Sequence, residues 1–583
     1  MDVRQSGDAR LRRRMAAVLG CLLLVLTVLL GQLWRIQVTE GKTLSAGAVR
    51  QRAVATSLGP GRGDILDRNG NSLTGAHFAS VSLNVGGAAG AAAARTTTAG
   101  AAAARTAAAG TTAAVAKVRY GPDSLAHHLV GYVRGDDNRG VSGVELAMDR
   151  FLRSDQAPQA LAFIDGQGRP IPGLGVRLTP ETGRNNVWLT IDAQAQAAAE
   201  KALVRAGAPG AAVVLDAASG QVLAMASRPD FAPDRVADYL HANGAPLVNR
   251  ATSAYAPGSV FKLVVLAAAL ETGATHPSEV FECPGYVDVG DRRIPCLAHP
   301  SASPAAPAKI TVVDALAQSC NTTFIKLGLR IGPEAIARQA RLFGLGQTTG
   351  TGLPEEAAGN IPAPAGAASD GGISRGDIAN MAIGQGDVMV TPLQVARMIA
   401  AITQRGVISE PSVFGKVVNQ DDITVWRPGE PVLARAVTPA TALVLREGMT
   451  RATKTGTSRA AQPAALGLSS ARGLKAAAGK SGTAETPGKT AAGEPINNAW
   501  FAGYYPGDHP RWVIVVVLET TGTGGGQAAP VFAEIAGALV SAAEAASESS
   551  TPCVRASQYV NGRKTGNLPL SNHPKSRPDG TVM

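Results

Sequence analysis

The chain has 583 residues, more than one ordinary domain holds, and carries a formal net charge of +11. That charge is spread along the chain and gathers in no aromatic-studded groove, so nucleic-acid binding gets little support. Five cysteines and eight histidines lack ligand-like spacing, so no metal site is expected and no cofactor is called for.

In chain order, residues 1–14 form a basic tail in which Arg10, Arg12, Arg13 and Arg14 lead into an almost wholly apolar run over residues 15–34. The run is long enough to cross a bilayer, and the arginines predict a cytoplasmic amino terminus with everything after the span outside. No small-x-small cleavage site follows, which predicts an uncleaved single-pass anchor in the cell membrane. Val18-Leu-Gly-Cys21 loosely resembles a lipoprotein box, but too little of the apolar core precedes it.

Residues 42–184 make up a second region, which contains an Ala/Gly/Thr tract over residues 86–116. Within the tract Ala-Gly-Ala-Ala-Ala-Ala-Arg-Thr begins at Ala89 and again at Ala99. The repeat lacks apolar bulk and is not expected to form a packed core, while Gly90, Gly100 and Gly110 oppose a long alanine helix. Residues 185–545 hold enough chain for one large core with helices around a sheet. Residues 211–215 and 222–226, joined by Asp216-Ala-Ala-Ser-Gly220, predict a hairpin, and residues 512–518 a third strand. A helix near residues 531–546 should pack on that sheet. Residues 546–583 turn polar and proline-rich and are expected to be disordered.

Three short motifs carry the chemistry: Ser259-Val-Phe-Lys262, Ser319-Cys-Asn321 and Lys480-Ser481-Gly482-Thr483. A serine hydroxyl is a poor nucleophile until a base takes its proton. Residues 260–270 predict a helix, which sets Ser259 and Lys262 one turn apart on one face. A lysine serves as that base only when burial and neighbouring cations lower its pKa, and Lys480 is the candidate second cation. Tyr255-Ala-Pro-Gly258 predicts a turn that puts Ser259 at a helix N-terminus, where backbone N–H groups face an acyl oxygen. Alone, the first motif reads as an N-cap serine and a solvent-facing lysine. Lys262, however, sits in an apolar stretch, where an unpaired charge is costly.

Longer stretches accompany the motifs: Gly61-Arg-Gly-Asp-Ile-Leu-Asp-Arg-Asn-Gly70, Asn186-Val-Trp-Leu-Thr-Ile-Asp-Ala193, Ala382-Ile-Gly-Gln-Gly-Asp387, Thr391-Pro-Leu-Gln394, and the run from Gly210 to Ala226. On these residues the chain resembles class B penicillin-binding proteins, membrane-anchored D,D-transpeptidases of peptidoglycan synthesis. The resemblance implies an α/β fold of the α+β type. Its penicillin-binding/serine β-lactamase-like transpeptidase domain has a central antiparallel sheet flanked by helices. An extended amino-terminal pedestal over residues 42–184 and one transmembrane helix complete it.

The resemblance further implies that Ser259 is the acylated nucleophile and Lys262 its general base. Ser319 would relay a proton to the leaving amine and Asn321 would bond the substrate backbone. Lys480 would supply positive charge near Ser319 and the terminal carboxylate, and Ser481 and Thr483 would bind that carboxylate. The backbone N–H groups of Ser259 and Thr483 would form the oxyanion hole, and Gly482 would let the substrate lie against the strand. Implied partners are peptidoglycan stem peptides on lipid-linked or nascent glycan, penicillin and other β-lactams as inhibitors, the membrane, and a polytopic glycosyltransferase. The last follows because no glycan-polymerising domain is visible between Trp34 and Asn185. A β-lactamase or β-lactam sensor on the same serine site is the alternative, opposed by the anchor and pedestal. Intact motif centres oppose a third reading, a wall scaffold with a dead site.

Ser481 stands where threonine is usual, and it keeps the hydroxyl. Cys320 inside the second motif reads as a small buried side chain. Lys454-Thr-Gly-Thr457 matches the third motif more literally than Lys480 does, but loop-like sequence follows it, whereas strand-like segments follow Lys480. Cys283 and Cys296 flank a segment centred on Val289-Gly290 that would fold as a hairpin. That hairpin would bring them opposite each other, and in an oxidising extracellular setting a disulfide is expected, with two unpaired thiols as the alternative.

Overall fold

The computed structural model describes residues 3–44, 53–57, 61–84, 94–96, 111–135, 137–156, 159–163, 176–179, 182–363, 373–462, 475–490, 493–520 and 522–549. Helix α1 (Val3–Trp34) contains the apolar run and passes into one wider turn over Arg35–Thr39. Leu11–Thr39 is long and apolar enough to cross a membrane, and none of that stretch is buried. An apolar helix with no protein packed on it is suited to a bilayer, and this one associates the chain with a membrane.

Beyond the anchor, Ile65–Leu66 pairs in parallel with the strand Asn185–Leu189, whose other edge pairs antiparallel with Phe414–Asn419. The cut drawn between residues 184 and 185 therefore falls at the first residue of a strand shared by both regions. Next to this sheet, Arg62 is wholly buried. Its Nε donates to Glu145 Oε2 at 2.9 Å and its Nη1 to Asp149 Oδ1 at 2.6 Å. Arg119, also buried, donates through Nε to the other oxygen of Glu145 at 2.8 Å. Glu145 is thus a carboxylate shared by two guanidinium groups removed from water. We expect Glu145→Gln to lower unfolding stability by about 3–5 kcal/mol, since it leaves two buried cations undercompensated. Denaturation of the detergent-solubilised chain measures this, and a loss below about 1 kcal/mol would contradict it.

Parts of the Ala/Gly/Thr tract form strands. Ala94–Thr96 and Thr111–Val118 both pair antiparallel with His77–Asn84. Main-chain pairing needs no apolar bulk: a strand such as His77–Asn84, with Phe78, Val81 and Leu83, offers its backbone groups to whatever extended chain lies beside it. The second copy of the repeat lies outside the described residues.

The core begins with helix α2 (Ala193–Ala206), capped by Asp192, whose side chain accepts from the N–H groups of Gln194 and Ala195. Strands β1 (Gly210–Asp216) and β2 (Val222–Arg228) follow as the expected hairpin. Then come helices α3 (Lys262–Glu271), α4 (Val312–Gln318), α5 (Asn321–Leu342), α6 (Pro392–Thr403) and α7 (Pro439–Lys454). Strands β3 (Ala478–Lys489), β4 (Pro495–Tyr505) and β5 (Trp512–Thr520) precede the last helix, α8 (Ala529–Ser549). The sheet runs in the order β2-β1-β5-β4-β3 and is antiparallel throughout.

In β5 the unbroken run Val513-Ile-Val-Val-Val-Leu518 is buried on both faces. Val513, Val515 and Val517 join the main hydrophobic cluster together with Leu393, Val395 and Ala396 of α6. On the opposite face Phe501 of β4 meets Phe532 of α8 edge-on, with centroids 4.6 Å apart. Gly524–Ala546 is also apolar enough for a span, but here Phe532, Ala533, Ile535 and Ala536 are fully buried as a core face. The chain divides into one compact unit, Met1–Leu539, and a second, Val540–Met583. Of the tail expected to be disordered, residues 546–549 are helical and the rest lies outside the described residues.

Candidate active site

The site sits where the start of α3, the corner between α4 and α5, and the edge strand β3 converge. Residues 260–270 were expected as one helix. Instead, Gly258–Phe261 forms a 3-10 turn that hands over to α3 at Lys262, leaving Ser259 partly exposed on the turn. Gly258 has φ +51°, and an added Cβ there would lie 2.5 Å from the Thr483 carbonyl oxygen, so only glycine lets the turn lean on β3. Gly258 N–H donates to Gly384 O at 2.9 Å. Gln385 donates through Nε2 to Thr483 O at 3.4 Å. The Gly384-Gln-Gly386 segment is therefore a brace between the first and third motifs.

Lys262 is wholly buried. Its Nζ donates to Asn321 Oδ1 at 2.7 Å, to Ser319 O at 2.8 Å and to Ser319 Oγ at 3.2 Å. Among the described residues none of its hydrogen bonds goes to Ser259. Burial draws its ammonium down to about 8, against the upward pull of the Cys320 and Cys296 sulfurs.

The second motif is a sharp corner. Ser319 closes α4 in the left-handed region, φ +62° and ψ 41°, and Cys320 is the N-cap of α5. A non-glycine residue there costs on the order of 1 kcal/mol, and the bend points both Ser319 and Asn321 at Lys262. Asn321 Nδ2 also donates to Pro295 O at 3.2 Å.

The third motif lies on β3, which among the described residues pairs with β4 at the edge of the sheet. Lys480 is wholly buried and donates to Ser481 O at 2.7 Å. No hydrogen bond among the described residues joins it to Ser319. Its pKa is pushed far down, first by burial and then by the charge of Lys262. A Cβ on Gly482 would lie 2.6 Å from Pro257 O and 2.9 Å from Val260 Cγ2. The close approach this glycine permits is thus with the chain's own Ser259-bearing turn. Thr483 Oγ1 accepts from Gly524 N–H at 3.2 Å.

The literal match at Lys454 ends helix α7, exposed. Its downstream residues are not idle: Thr457 Oγ1 lies 3.0 Å from Ser481 Oγ, and Ser458 Oγ accepts from Ser481 N–H at 3.2 Å. These two residues, with Gly384, Gln385 and Gly524, were missed in the sequence. Only the literal motif around Lys454 and the quoted stretch at 382–387 hinted at them.

The cysteines depart from expectation. The hairpin forms, with Tyr286 opposite Pro295, but the residue facing Cys296 is Gly285, whose carbonyl accepts its N–H at 2.8 Å. Cys283 belongs to another strand and pairs with Ala308. Cys283, Cys296 and Cys320 are all free thiols. Together with His299 they bring four ligand atoms within 4.8 Å of one another, a cluster that their sequence spacing did not suggest. Cys296 and Cys320 share a hydrogen bond at 3.6 Å, which holds the Cys296 thiol low and the Cys320 thiol high.

Comparison with known proteins fits this geometry. Residues 210–537 match the penicillin binding protein transpeptidase domain. Penicillin-binding protein PbpB of Mycolicibacterium smegmatis is 33% identical over 445 residues, covering 72% of this chain and 64% of that protein. The match thus spans just under two thirds of that relative's length. Penicillin binding protein 3 of Mycobacterium tuberculosis, solved in complex with aztreonam, superposes with a TM-score of 0.62 at 27% identity, over 84% of this chain and 97% of that one. A chain of a peptidoglycan synthase complex that coordinates polymerization and crosslinking gives a TM-score of 0.64 at 26% identity, over 90% and 98%. A domain match over more than half the chain, on the fold that joins the three motifs around Lys262, makes this chain a member of the class B penicillin-binding proteins.

Proposed function

We propose that the protein is a serine D,D-transpeptidase that cross-links peptidoglycan stem peptides and is acylated by penicillin. The observation that carries this reading is the buried Lys262 amine, held one turn from Ser259 and bonded to both Ser319 Oγ and Asn321 Oδ1. A lysine with pKa about 8 leaves an appreciable neutral fraction near neutral pH, as a general base requires.

In this reading Ser259 Oγ attacks the carbonyl carbon of the penultimate D-alanine as its proton passes to Lys262 Nζ. The oxyanion is held by the N–H groups of Ser259 and Thr483, a contribution of about a hundred- to thousand-fold in rate per donor. The C–N bond breaks, Ser319 relays the proton to the departing D-alanine, and an ester on Ser259 remains. Attack by an amine of a neighbouring stem releases Ser259 and forms the cross-link. Asn321 bonds the donor backbone, while Lys480, Ser481 and Thr483 receive its carboxylate. A buried Lys480 whose charge is disfavoured in the free site would gain its proton as the anion arrives.

The pedestal and anchor support a transpeptidase over a β-lactamase, which needs the catalytic domain alone. The arginines before the span support a cytoplasmic amino terminus and an extracellular site. The likeness to a chain of a peptidoglycan synthase complex supports a polytopic glycosyltransferase partner.

Mass spectrometry tests the reading. The full chain in detergent, incubated with benzylpenicillin, should gain one penicilloyl mass on the peptide containing Ser259. No adduct, or an adduct on another peptide, would overturn it.

A further inference from the structure

We propose that Cys283, Cys296, His299 and Cys320 bind one structural zinc ion directly behind the second motif. The four residues arrive from three separate stretches: the end of strand Val280–Cys283, the turn after strand Arg292–Pro295, and the corner that opens α5. Their ligand atoms lie within 4.8 Å of one another, with the three thiols buried and His299 half-buried. A tetrahedral site with zinc–sulfur bonds of about 2.3 Å has sulfur–sulfur edges of about 3.8 Å. The Cys296 and Cys320 sulfurs are 3.6 Å apart, and Cys296 Sγ is 4.0 Å from His299 Nδ1. Three sulfurs and one imidazole are also a donor set that zinc favours in closed, four-coordinate sites.

A second observation points the same way. His299 turns Nδ1 toward the sulfurs, while its Nε2 lies 3.0 Å from Gln318 Oε1. A side-chain carbonyl that accepts from Nε2–H fixes the tautomer and leaves the Nδ1 lone pair free for a metal, the usual outer arrangement of a ligating histidine. Hydroxyls flank the sulfurs too: Thr322 Oγ1 is 3.2 Å from Cys283 Sγ, and Thr323 Oγ1 donates to Cys320 Sγ at 3.4 Å.

The fold has a use for such a staple. The segment from Val280 to Thr311 is built of short two-stranded pairs, and its hairpin meets α5 through a small cluster of Val289, Ile325 and Ala379. Zinc would take the three sulfurs as thiolates, with any thiol proton still present leaving to solvent, and would tie this segment to Cys320. Cys320 is flanked by Ser319, in its left-handed conformation, and by Asn321, both bonded to Lys262. The cysteines and His299 would then act as positioning residues for the Ser-x-Asn corner and take no part in the acyl transfer.

The experiment uses the full chain purified in detergent under reducing conditions, and reads metal without any turnover, so it stands or falls separately from the transpeptidase reading. Elemental analysis should find about one zinc per chain, and Cys283→Ser and His299→Ala should lose it. Chelation should lower the melting temperature and added zinc restore it. Cobalt substitution should give thiolate-to-cobalt charge-transfer absorption. Gln318→Ala should weaken zinc binding by about 10- to 100-fold while keeping the four ligands. A metal-free chain that takes up neither zinc nor cobalt would overturn the proposal, as would a Cys296–Cys320 disulfide in the isolated protein. Zinc content unchanged in both ligand variants would do the same. Should a ligand variant not fold, the zinc content and cobalt spectrum of the native chain still decide.

Discussion

Ser259→Ala should abolish covalent capture of a fluorescent penicillin by the full-length chain, a fall in acylation rate of about a million-fold, the scale seen when a serine nucleophile is removed elsewhere. The loss should be specific. Ser259 is partly exposed on a short turn whose packing comes from Gly258, Val260 and Phe261, all buried. Removing its hydroxyl opens no cavity, and an exposed single-atom change of this kind moves stability by about 0.5 kcal/mol at most. The melting temperature should therefore match that of the parent chain while labelling disappears. Labelling that persists in Ser259→Ala would remove the proposed mechanism altogether. Non-covalent affinity for the drug should survive, because the strand residues 480–483 and the brace at Gly384 and Gln385 are untouched by the change.

How much of this could be read from the chain depended on sequence distance. The Ser-x-x-Lys pair is local, so helical spacing alone placed Lys262 one turn from Ser259. The hairpin from Gly210 to Arg228 and the strand at Trp512–Thr520 were legible because apolar runs and turn residues adjoin one another. The bond from Lys262 to Asn321 spans 59 positions, and the brace from Gln385 to Thr483 spans 98. No local pattern encodes either contact; the resemblance implied a place for Asn321 in the site but not its bond to Lys262.

The cysteines show the same limit from the other side. The hairpin around Gly290 was read correctly, but its register sets Gly285 opposite Cys296, and Cys283 leaves on a strand of its own. A slip of two residues turned an expected bridge into three free thiols gathered around His299. Thr457 was set aside with the misleading motif at Lys454, yet its hydroxyl reaches Ser481 because α7 ends beside β3.

Lys262→Met should lower the acylation rate by about a hundred- to ten-thousand-fold, the range that a positioned general base contributes. Methionine preserves most of the buried volume, so the change isolates the amine. It also strips three hydrogen bonds from the Ser319 and Asn321 corner, and some stability should go with them, about 1–3 kcal/mol for each acceptor left buried and unpartnered. Rate and stability are separated by pH. The base must be neutral to act, and burial lowers Lys262 from 10.5 to about 8 in the folded chain. Below that value the amine is protonated and the rate should fall tenfold per unit. As pH rises through 8 the rate should climb and then level off. The titratable groups coupled to the amine are the sulfurs of Cys320 and Cys296, which pull its value up, and Lys480, whose own proton affinity the charge of Lys262 lowers. In Lys262→Met the rising limb should vanish, leaving a slow rate that no longer follows a group near 8. A merely structural lysine would give a destabilised variant whose residual activity kept the parent profile. That outcome would move the general base elsewhere, with Lys480, buried beside Ser481 and depressed in the same direction, the next group to test.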